Sequence, residues 1–223
     1  TNVQVERFIP STRQSWKLLA VPTTGSQTIR QAWMELNTND AANTNLGSAY
    51  GTLISAGSSL YVGDGNMAKG GFDVVTASSS LKSYNYTSGT AAFIYPNNVN
   101  TPIADTFTNG YFLFVRGNRS VSVNSAPATS AATPRSKGGI SVRSVVKSLH
   151  YPGKYRLLGN PYASTIDFNN VTLSGSVTNG FYLWDASLGS TGGYSYFEDV
   201  DEDNVYTLTS GFGAYGANNS KIQ

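Results

Sequence analysis

The residues with the clearest capacity for chemistry lie in the acidic run at positions 199–204, Asp-Val-Asp-Glu-Asp-Asn. Asp199, Asp201 and Asp203 alternate as the first three ligands of many calcium loops do, and hard carboxylate oxygens in this pattern can wrap one cation. An EF-hand also needs glycine at the sixth place and glutamate at the twelfth, which are Asn204 and Ser210 here. The run therefore predicts either a calcium site that is not an EF-hand or a solvated acidic hairpin turn.

The sequence gives little support for a catalytic site. The chain has a single histidine, His150, and no cysteine, so thiol nucleophiles, disulfides and the usual zinc shells are excluded. His150 precedes Tyr-Pro-Gly and is best interpreted as a turn histidine, since a triad would need a nucleophile and an acid from elsewhere. Paired carboxylates for glycoside hydrolysis must face each other across a cleft, which a sequence does not display. We predict that the chain is not an enzyme and needs no cofactor other than, in one reading, calcium.

Composition narrows the possible partners. Charged residues make up 13% of the chain, the net charge is +2, and the 15 basic residues are scattered, so no stripe could neutralise consecutive phosphates. We expect no nucleic-acid partner. No apolar run approaches the roughly 20 residues that span a bilayer, so we expect no membrane span. Because the sequence starts at Thr1 without methionine or a signal-peptide pattern, we also expect that a leader or an upstream domain was removed.

The elements that would position these residues read as β-strands. The 23 glycines, 14 tyrosines and many Ser, Thr and Asn residues suit short strands joined by polar loops. The exception is residues 27–36, where Ile29, Trp33 and Leu36 share one helical face behind a serine that can cap it. The sequence predicts an all-β, two-sheet, jelly-roll-like sandwich with one short helix near residues 27–36.

Weak self-similarity predicts a degenerate internal duplication within one domain, residues 1–223. Residues 16–22 resemble 155–161, residues 81–85 resemble 181–185, and residues 108–112 resemble 209–213, in the same order. The halves would be about 1–124 and 140–223, with a Ser/Ala/Thr/Pro-rich connector at 125–139. Each half is too small to bury its own sheet faces, so we expect one shared core. We also expect the sequence to be a fragment of a longer chain.

Several short motifs in fixed order support a family resemblance. They include the stretch 110–120, Gly-Tyr-Phe-Leu-Phe-Val-Arg-Gly-Asn-Arg-Ser, then Gly-Asn-Pro-Tyr at 159–162 and Trp-Asp at 184–185. Together they resemble a module of large secreted and cell-surface proteins of Bacteroidota, which usually precedes the C-terminal sorting domain for type IX secretion. The resemblance implies export, a multidomain polypeptide and no catalytic residues. The chain departs from that pattern at Asn118, where aspartate is common.

We therefore expect a non-enzymatic structural or adhesive module, extracellular or on the outer cell surface, whose partners are neighbouring domains of its own polypeptide. One alternative is a carbohydrate-binding module, in which aromatic and Asn/Asp-rich loops at 37–50 and 185–196 bind glycans. Another is a strand-exchange filament, in which residues 3–8 complete the sheet of another copy. The three tryptophans lie in apolar-periodic segments, so we predict that they pack in a core.

Overall fold

The computed structural model describes most of the chain, in short stretches separated by gaps. The described residues are 3–10, 15–25, 27–34, 51–60, 69–73, 76–85, 92–103, 110–117, 133–140, 143–147, 155–185, 188, 192–211 and 221–222. Candidate residues His150 and Asn118 lie outside them.

The described residues form an all-β protein, which confirms the predicted fold class. The strands are β1 Val3–Glu6, β2 Ser15–Leu19, β3 Leu81–Asn85, β4 Ala92–Ile94, β5 Tyr111–Val115, β6 Arg135–Gly138, β7 Ile166–Asp167, β8 Gly180–Asp185, β9 Gly193–Glu198, β10 Thr207–Gly211 and β11 Lys221–Ile222. They assemble in the orders β2-β5-β3-β4, β10-β9-β8, β1-β6 and β11-β7. The two-sheet jelly-roll arrangement and the duplication stay predictions.

The chain divides into two compact units. The larger comprises Thr1–Gln14 and Leu18–Ala163, and the smaller comprises Ser15–Lys17 and Ser164–Gln223. The main boundary between these units falls at residues 163–164, and the division into two related halves about a connector at 125–139 stays a prediction. Residues 135–138 of that predicted connector form β6, which pairs antiparallel with β1. The polar sequence Arg-Ser-Lys-Gly gives no apolar alternation, which is why the sequence did not indicate a strand there.

The larger unit contains the buried apolar cluster of the described residues. Leu81 of β3 pairs with Leu113 of β5, and both side chains are fully buried. Since neighbouring strand residues point to opposite faces, Lys82 and Phe112 lie on the other face of the same pair. The remaining large members of the cluster are Ile9, Leu19, Val21, Ile29, Trp33, Met34, Ile54, Phe72, Val99, Ile103, Tyr111 and Val115.

The predicted helix is confirmed as one short helical segment, a π-helical turn at Arg30–Met34. Thr28 and Gln31 form a capping box: the Thr28 hydroxyl accepts from the Gln31 N–H at 3.3 Å, and the Gln31 amide oxygen accepts from the Thr28 N–H at 3.0 Å. Ile29 and Trp33 are buried on one face, and Trp33 meets Tyr111 edge-on at 5.6 Å. Core packing of Trp33 is thus confirmed, whereas Leu36 lies outside the described residues.

The smaller unit is built on the antiparallel sheet β10-β9-β8. Six consecutive residue pairs join β8 to β9, from Gly180–Glu198 to Asp185–Gly193. The pairing of β9 with β10 shifts register between Leu208 and Ser210, a bulge that leaves one extra residue in β10.

No helix in the described ranges is long and apolar enough to cross a membrane.

Candidate functional site

The acidic run forms the connection between β9 and β10 in the smaller unit, so the predicted hairpin turn is present. Asp199 is 5% exposed, whereas Asp201 and Asp203 are exposed. One carboxylate oxygen from each of the three aspartates lies within 4.8 Å of the other two. The structure thus brings together all three residues that the sequence proposed as ligands, but it buries only the first.

Asp199 organises the turn by accepting hydrogen bonds on both carboxylate oxygens. Its Oδ1 accepts from the Asp203 N–H at 3.1 Å, and its Oδ2 accepts from the Asn204 N–H at 3.0 Å. The Asn179 side-chain amide donates to Oδ2 at 3.0 Å and to the Asp199 carbonyl at 3.1 Å. Since hydrogen bonds to an ionised acceptor are stronger than neutral ones, this carboxylate fixes the turn to the start of β8.

Local backbone conformation completes the turn. Glu202 and Asn204 have φ of 60° and 65°, in the left-handed region that asparagine tolerates better than most residues. The Val205 N–H donates to Asp203 Oδ1 at 2.8 Å, which is the side-chain turn typical of aspartate. Two of the carboxylates that could bind a cation, those of Asp199 and Asp203, therefore also accept hydrogen bonds from backbone N–H groups of the turn.

Tyr206 and two asparagines extend the network below the turn. The Tyr206 hydroxyl donates to Asn179 Oδ1 at 2.7 Å, and the Tyr206 N–H donates to Asn169 Oδ1 at 3.2 Å. The Tyr206 ring is 3% exposed and meets Phe168 edge-on at 5.0 Å. Asn179 and Tyr206 were not among the predicted site residues, because no local pattern links them to a turn that begins twenty residues after Asn179.

Burial raises the pKa of the Tyr206 phenol above its ordinary value of 10.0, and the nearby Asp199 carboxylate raises it further. The unfolded chain releases the phenol proton near pH 10, whereas the folded chain keeps it. The protonated Tyr206 phenol therefore contributes to the free energy of unfolding below that pH, and this contribution is lost as pH rises through the pKa of the folded chain. We expect Tyr206→Phe to lower the free energy of unfolding by about 1 kcal/mol at pH 8, because the hydrogen bond of the hydroxyl is lost. Above pH 10 the stability of the variant should fall less steeply with pH than that of the unmodified chain.

Urea denaturation at pH 8 and pH 11 measures both effects. Tyr155→Phe, at a 67% exposed tyrosine of the larger unit, controls for the removal of a tyrosine hydroxyl outside this network. An alkaline loss of stability in Tyr206→Phe as steep as that of the unmodified chain would contradict the assignment.

The three aspartates of the turn could supply part of the oxygen shell of a divalent cation. Calcium takes six to eight oxygen ligands, so three aspartates would need carbonyl and water oxygens beside them. Asp199 Oδ1 and Asp203 Oδ1 each accept one backbone hydrogen bond, and a carboxylate oxygen has two lone-pair sites. The donor set fits a hard cation with a small number of protein ligands.

A second feature of the smaller unit is an aromatic face on β8 and β9, formed by Tyr182, Trp184, Tyr194 and Tyr196. Tyr182 pairs with Tyr196, and Trp184 pairs with Tyr194 directly across the two strands. The opposite face carries Phe181 stacked on Phe197 at 5.3 Å, and Phe197 is 2% exposed. Strand alternation therefore directs one aromatic set inward and places the other on the outer side.

The aromatic face combines packed rings with exposed surface. Tyr182 and Tyr194 remain 49% and 42% exposed. The Trp184 and Tyr194 centroids lie 4.8 Å apart at 79°, Tyr182 and Tyr194 lie 6.1 Å apart at 83°, and Tyr182 and Tyr196 lie 4.7 Å apart at 36°. Edge-to-face pairs are favourable for aromatic quadrupoles, so the rings hold one another in place.

Trp184 is fixed at one end of the aromatic face. Its Nε1–H donates to the Trp16 carbonyl oxygen at 2.9 Å, and both residues belong to the smaller unit. Gly192, with φ of 111°, lies against the indole, which leaves no room for a Cβ at that position. Trp16 and Trp184 are both half-buried, so the predicted core packing of tryptophan is complete only for Trp33.

Arg116 and Gly117, which precede Asn118, make contacts within the larger unit. The Arg116 guanidinium lies 4.8 Å from the Phe114 ring, and burial lowers its pKa. Gly117 has φ of 113°, and its carbonyl accepts from the Leu53 N–H at 3.0 Å. These contacts give both residues a structural role in the larger unit.

Comparison with known proteins adds no assignment: no protein-family model, no curated protein and no solved structure matches this chain significantly.

Proposed function

We propose that the chain is a non-enzymatic structural and adhesive module that contacts other macromolecules through the aromatic face of β8 and β9. The observation that carries the proposal is the set of four aromatic side chains on one sheet face, with Tyr182 and Tyr194 each more than two-fifths exposed. Tyrosine and tryptophan dominate protein contact surfaces because they bury a large apolar area with few rotatable bonds and retain a polar group.

The setting we propose for this module is the outside of the cell, as part of a larger secreted or surface polypeptide of the Bacteroidota type. The low fraction of charged residues and the sequence motifs at 110–120 and 159–162 support this setting. Its partners would be neighbouring domains of the same polypeptide and surface proteins.

The angles between the rings favour a protein partner. Flat polysaccharide binding needs ring faces that lie parallel to the sugar, whereas Tyr194 is nearly perpendicular to both Tyr182 and Trp184. Because these rings are steeply inclined to one another, the surface is uneven, and protruding side chains of a protein partner can enter between the ring edges. Binding to glycans remains the alternative, supported by the tyrosine hydroxyls that border the rings.

Binding to an array of extracellular-matrix proteins, with a glycan array beside it, tests the proposal. We expect Tyr182→Ser combined with Tyr194→Ser to weaken binding to protein spots at least tenfold, since aromatic anchors carry much of an interface's free energy. Tyr155→Ser removes a 67% exposed tyrosine outside this face and should leave binding unchanged.

Two results would count against the leading proposal. Glycan spots that lose binding in the double variant, with no protein spots affected, would favour the carbohydrate-binding module. Protein binding that is equal in the double variant and the unmodified chain would remove the aromatic face from the function.

Calcium binding by the acidic turn is a second candidate function, favoured by the 4.8 Å grouping of the Asp199, Asp201 and Asp203 oxygens. We expect millimolar calcium to raise the melting temperature relative to chelator, because an ion that binds only the folded chain stabilises it. Asp201→Asn should abolish that increase with little effect in chelator. Equal melting temperatures in calcium and chelator would exclude a stabilising site.

A further inference from the structure

The pairing of β1 with β6 points to an interaction with a second copy of the chain. β6 is fixed to the larger unit by contacts that do not involve β1. The Thr24 N–H donates to the Gly139 carbonyl at 2.8 Å, and the Lys137 N–H donates to the Gln27 side chain at 2.5 Å. A Cβ at Gly138 would lie 2.0 Å from the Thr24 carbonyl oxygen, so β6 lies as close to this backbone as a glycine permits.

The β1 segment is attached to the larger unit through its pairing with one strand and through one fully inserted side chain. It pairs with β6 alone among the described strands, in four residue pairs from Val3–Gly138 to Glu6–Arg135. The Arg7 N–H continues the ladder to the Pro134 carbonyl at 2.9 Å. Val3 and Val5 are half-buried, and the one fully inserted side chain of this segment is Ile9, which is 6% exposed within the apolar cluster.

In this arrangement β1 is the strand that one copy could donate to another, and β6 is the strand that would accept it. Withdrawal of β1 would leave a row of unpaired N–H and C=O groups along β6 and an empty site for Ile9. Such an edge is a template for another strand, and its best complement is the identical segment of another copy. Exchange conserves every contact, so its extent depends on chain concentration.

We propose that β6 accepts the β1 segment of a second copy of this chain, with Ile9 as the anchoring side chain. The assembly closes into a dimer if two copies exchange strands reciprocally, and it extends into an open chain if they do not. This inference goes beyond the aromatic face of β8 and β9 and does not depend on it.

The test uses engineered cysteines, since the chain has none of its own. Gln4 and Lys137 are exposed and lie directly opposite each other on β1 and β6. Opposed residues of antiparallel strands have Cα atoms about 4.5–5.5 Å apart, within the roughly 4.4–6.8 Å range of disulfides. Gln4→Cys and Lys137→Cys are made in separate full-length chains, which are mixed at high concentration, warmed, cooled and oxidised.

We expect a covalent heterodimer joining position 4 of one chain to position 137 of the other, identified by peptide mass spectrometry. Its yield should exceed that of Gln4→Cys mixed with Val146→Cys at least tenfold, because Val146 is 92% exposed and reports random collision. Both cysteines in one chain, oxidised before concentration, should lock β1 in place and reduce dimer at least tenfold on size-exclusion chromatography.

Two results would overturn the proposal. One is an in-chain disulfide in the double variant together with a mixed-chain yield no higher than the collision control, which would show that β1 stays with its own chain. The other is a double variant that forms no disulfide between positions 4 and 137, neither within one chain nor between two chains, because the register of the acceptor edge would then be incorrect.

Discussion

Asp199→Ala is expected to lower the free energy of unfolding of the smaller unit by about 3 kcal/mol or more, which is at the upper end for a single substitution. The change removes an acceptor that is almost fully buried and leaves three donors without it: the N–H groups of Asp203 and Asn204 and the side-chain amide of Asn179. Each buried donor left unsatisfied costs about 1–3 kcal/mol, and part of that cost is recovered where water enters.

Asp199→Asn should also destabilise the smaller unit, although it preserves the shape of the side chain. Whichever way the new amide is oriented, its NH2 group faces at least one N–H donor. Asp201→Ala is the matched control, because Asp201 is exposed, and its cost should stay within about 0.5 kcal/mol. Hydrogen exchange at residues 179–207, with urea denaturation, measures the effect within the smaller unit.

Measurements in calcium and in chelator separate the hydrogen-bonding role of Asp199 from the proposed cation site. If Asp199 acts through hydrogen bonds, Asp199→Ala lowers the stability of the smaller unit in chelator, whereas Asp201→Ala lowers it in calcium only, if the turn binds the ion. An Asp199→Ala chain within 1 kcal/mol of the unmodified protein in chelator would show that the carboxylate does not organise the turn.

Gly192→Ala is expected to lower the stability of the smaller unit by about 2–4 kcal/mol and to displace Trp184. Gly192 has φ of 111°, which residues with a Cβ rarely adopt, and an added Cβ would lie 2.3 Å from Trp184 Cζ2. The indole can move away only by giving up its 2.9 Å hydrogen bond to the Trp16 carbonyl. A red shift of tryptophan fluorescence and weaker binding through the aromatic face should accompany the loss of stability.

Gly175→Ala separates the two causes of this effect. Gly175 also has a left-handed φ, 79°, but no atom lies within 4 Å of the position that its Cβ would take. Its substitution should cost only about 1–2 kcal/mol, from backbone strain, and should leave tryptophan fluorescence unchanged. Equal effects of the two substitutions would show that contact with Trp184 contributes nothing.

Local patterns predicted the features that depend on neighbouring residues. The all-β class followed from glycine, tyrosine and alternating apolar residues, and the helical segment followed from Ile29 and Trp33 on one face. The capping box could also have been identified, because Thr28 and Gln31 have its characteristic spacing. β6 could not, since its four residues gain their strand conformation from pairing with β1, more than a hundred residues earlier in the chain.

The candidate sites divide in the same way. The alternation of Asp199, Asp201 and Asp203 indicated a turn rich in carboxylates, and the structure places that turn between two strands. The sequence did not show that Asp199 is buried while the other two are exposed, because Asp199 contacts Asn179, which lies twenty residues earlier in the chain. The aromatic face likewise required the register that sets Tyr182 opposite Tyr196 and Trp184 opposite Tyr194.

The sequence by itself determined that this protein consists of strands, that it lacks thiol chemistry, and that four of its 13 acidic residues cluster in one turn. These properties follow from residue types and from short-range periodicity. Only the tertiary structure decided which aspartate is buried, which aromatic rings share the outer face, and which strand borders β6. Those outcomes depend on the register between distant segments, where a shift of one residue would turn every side chain to the opposite face of its sheet.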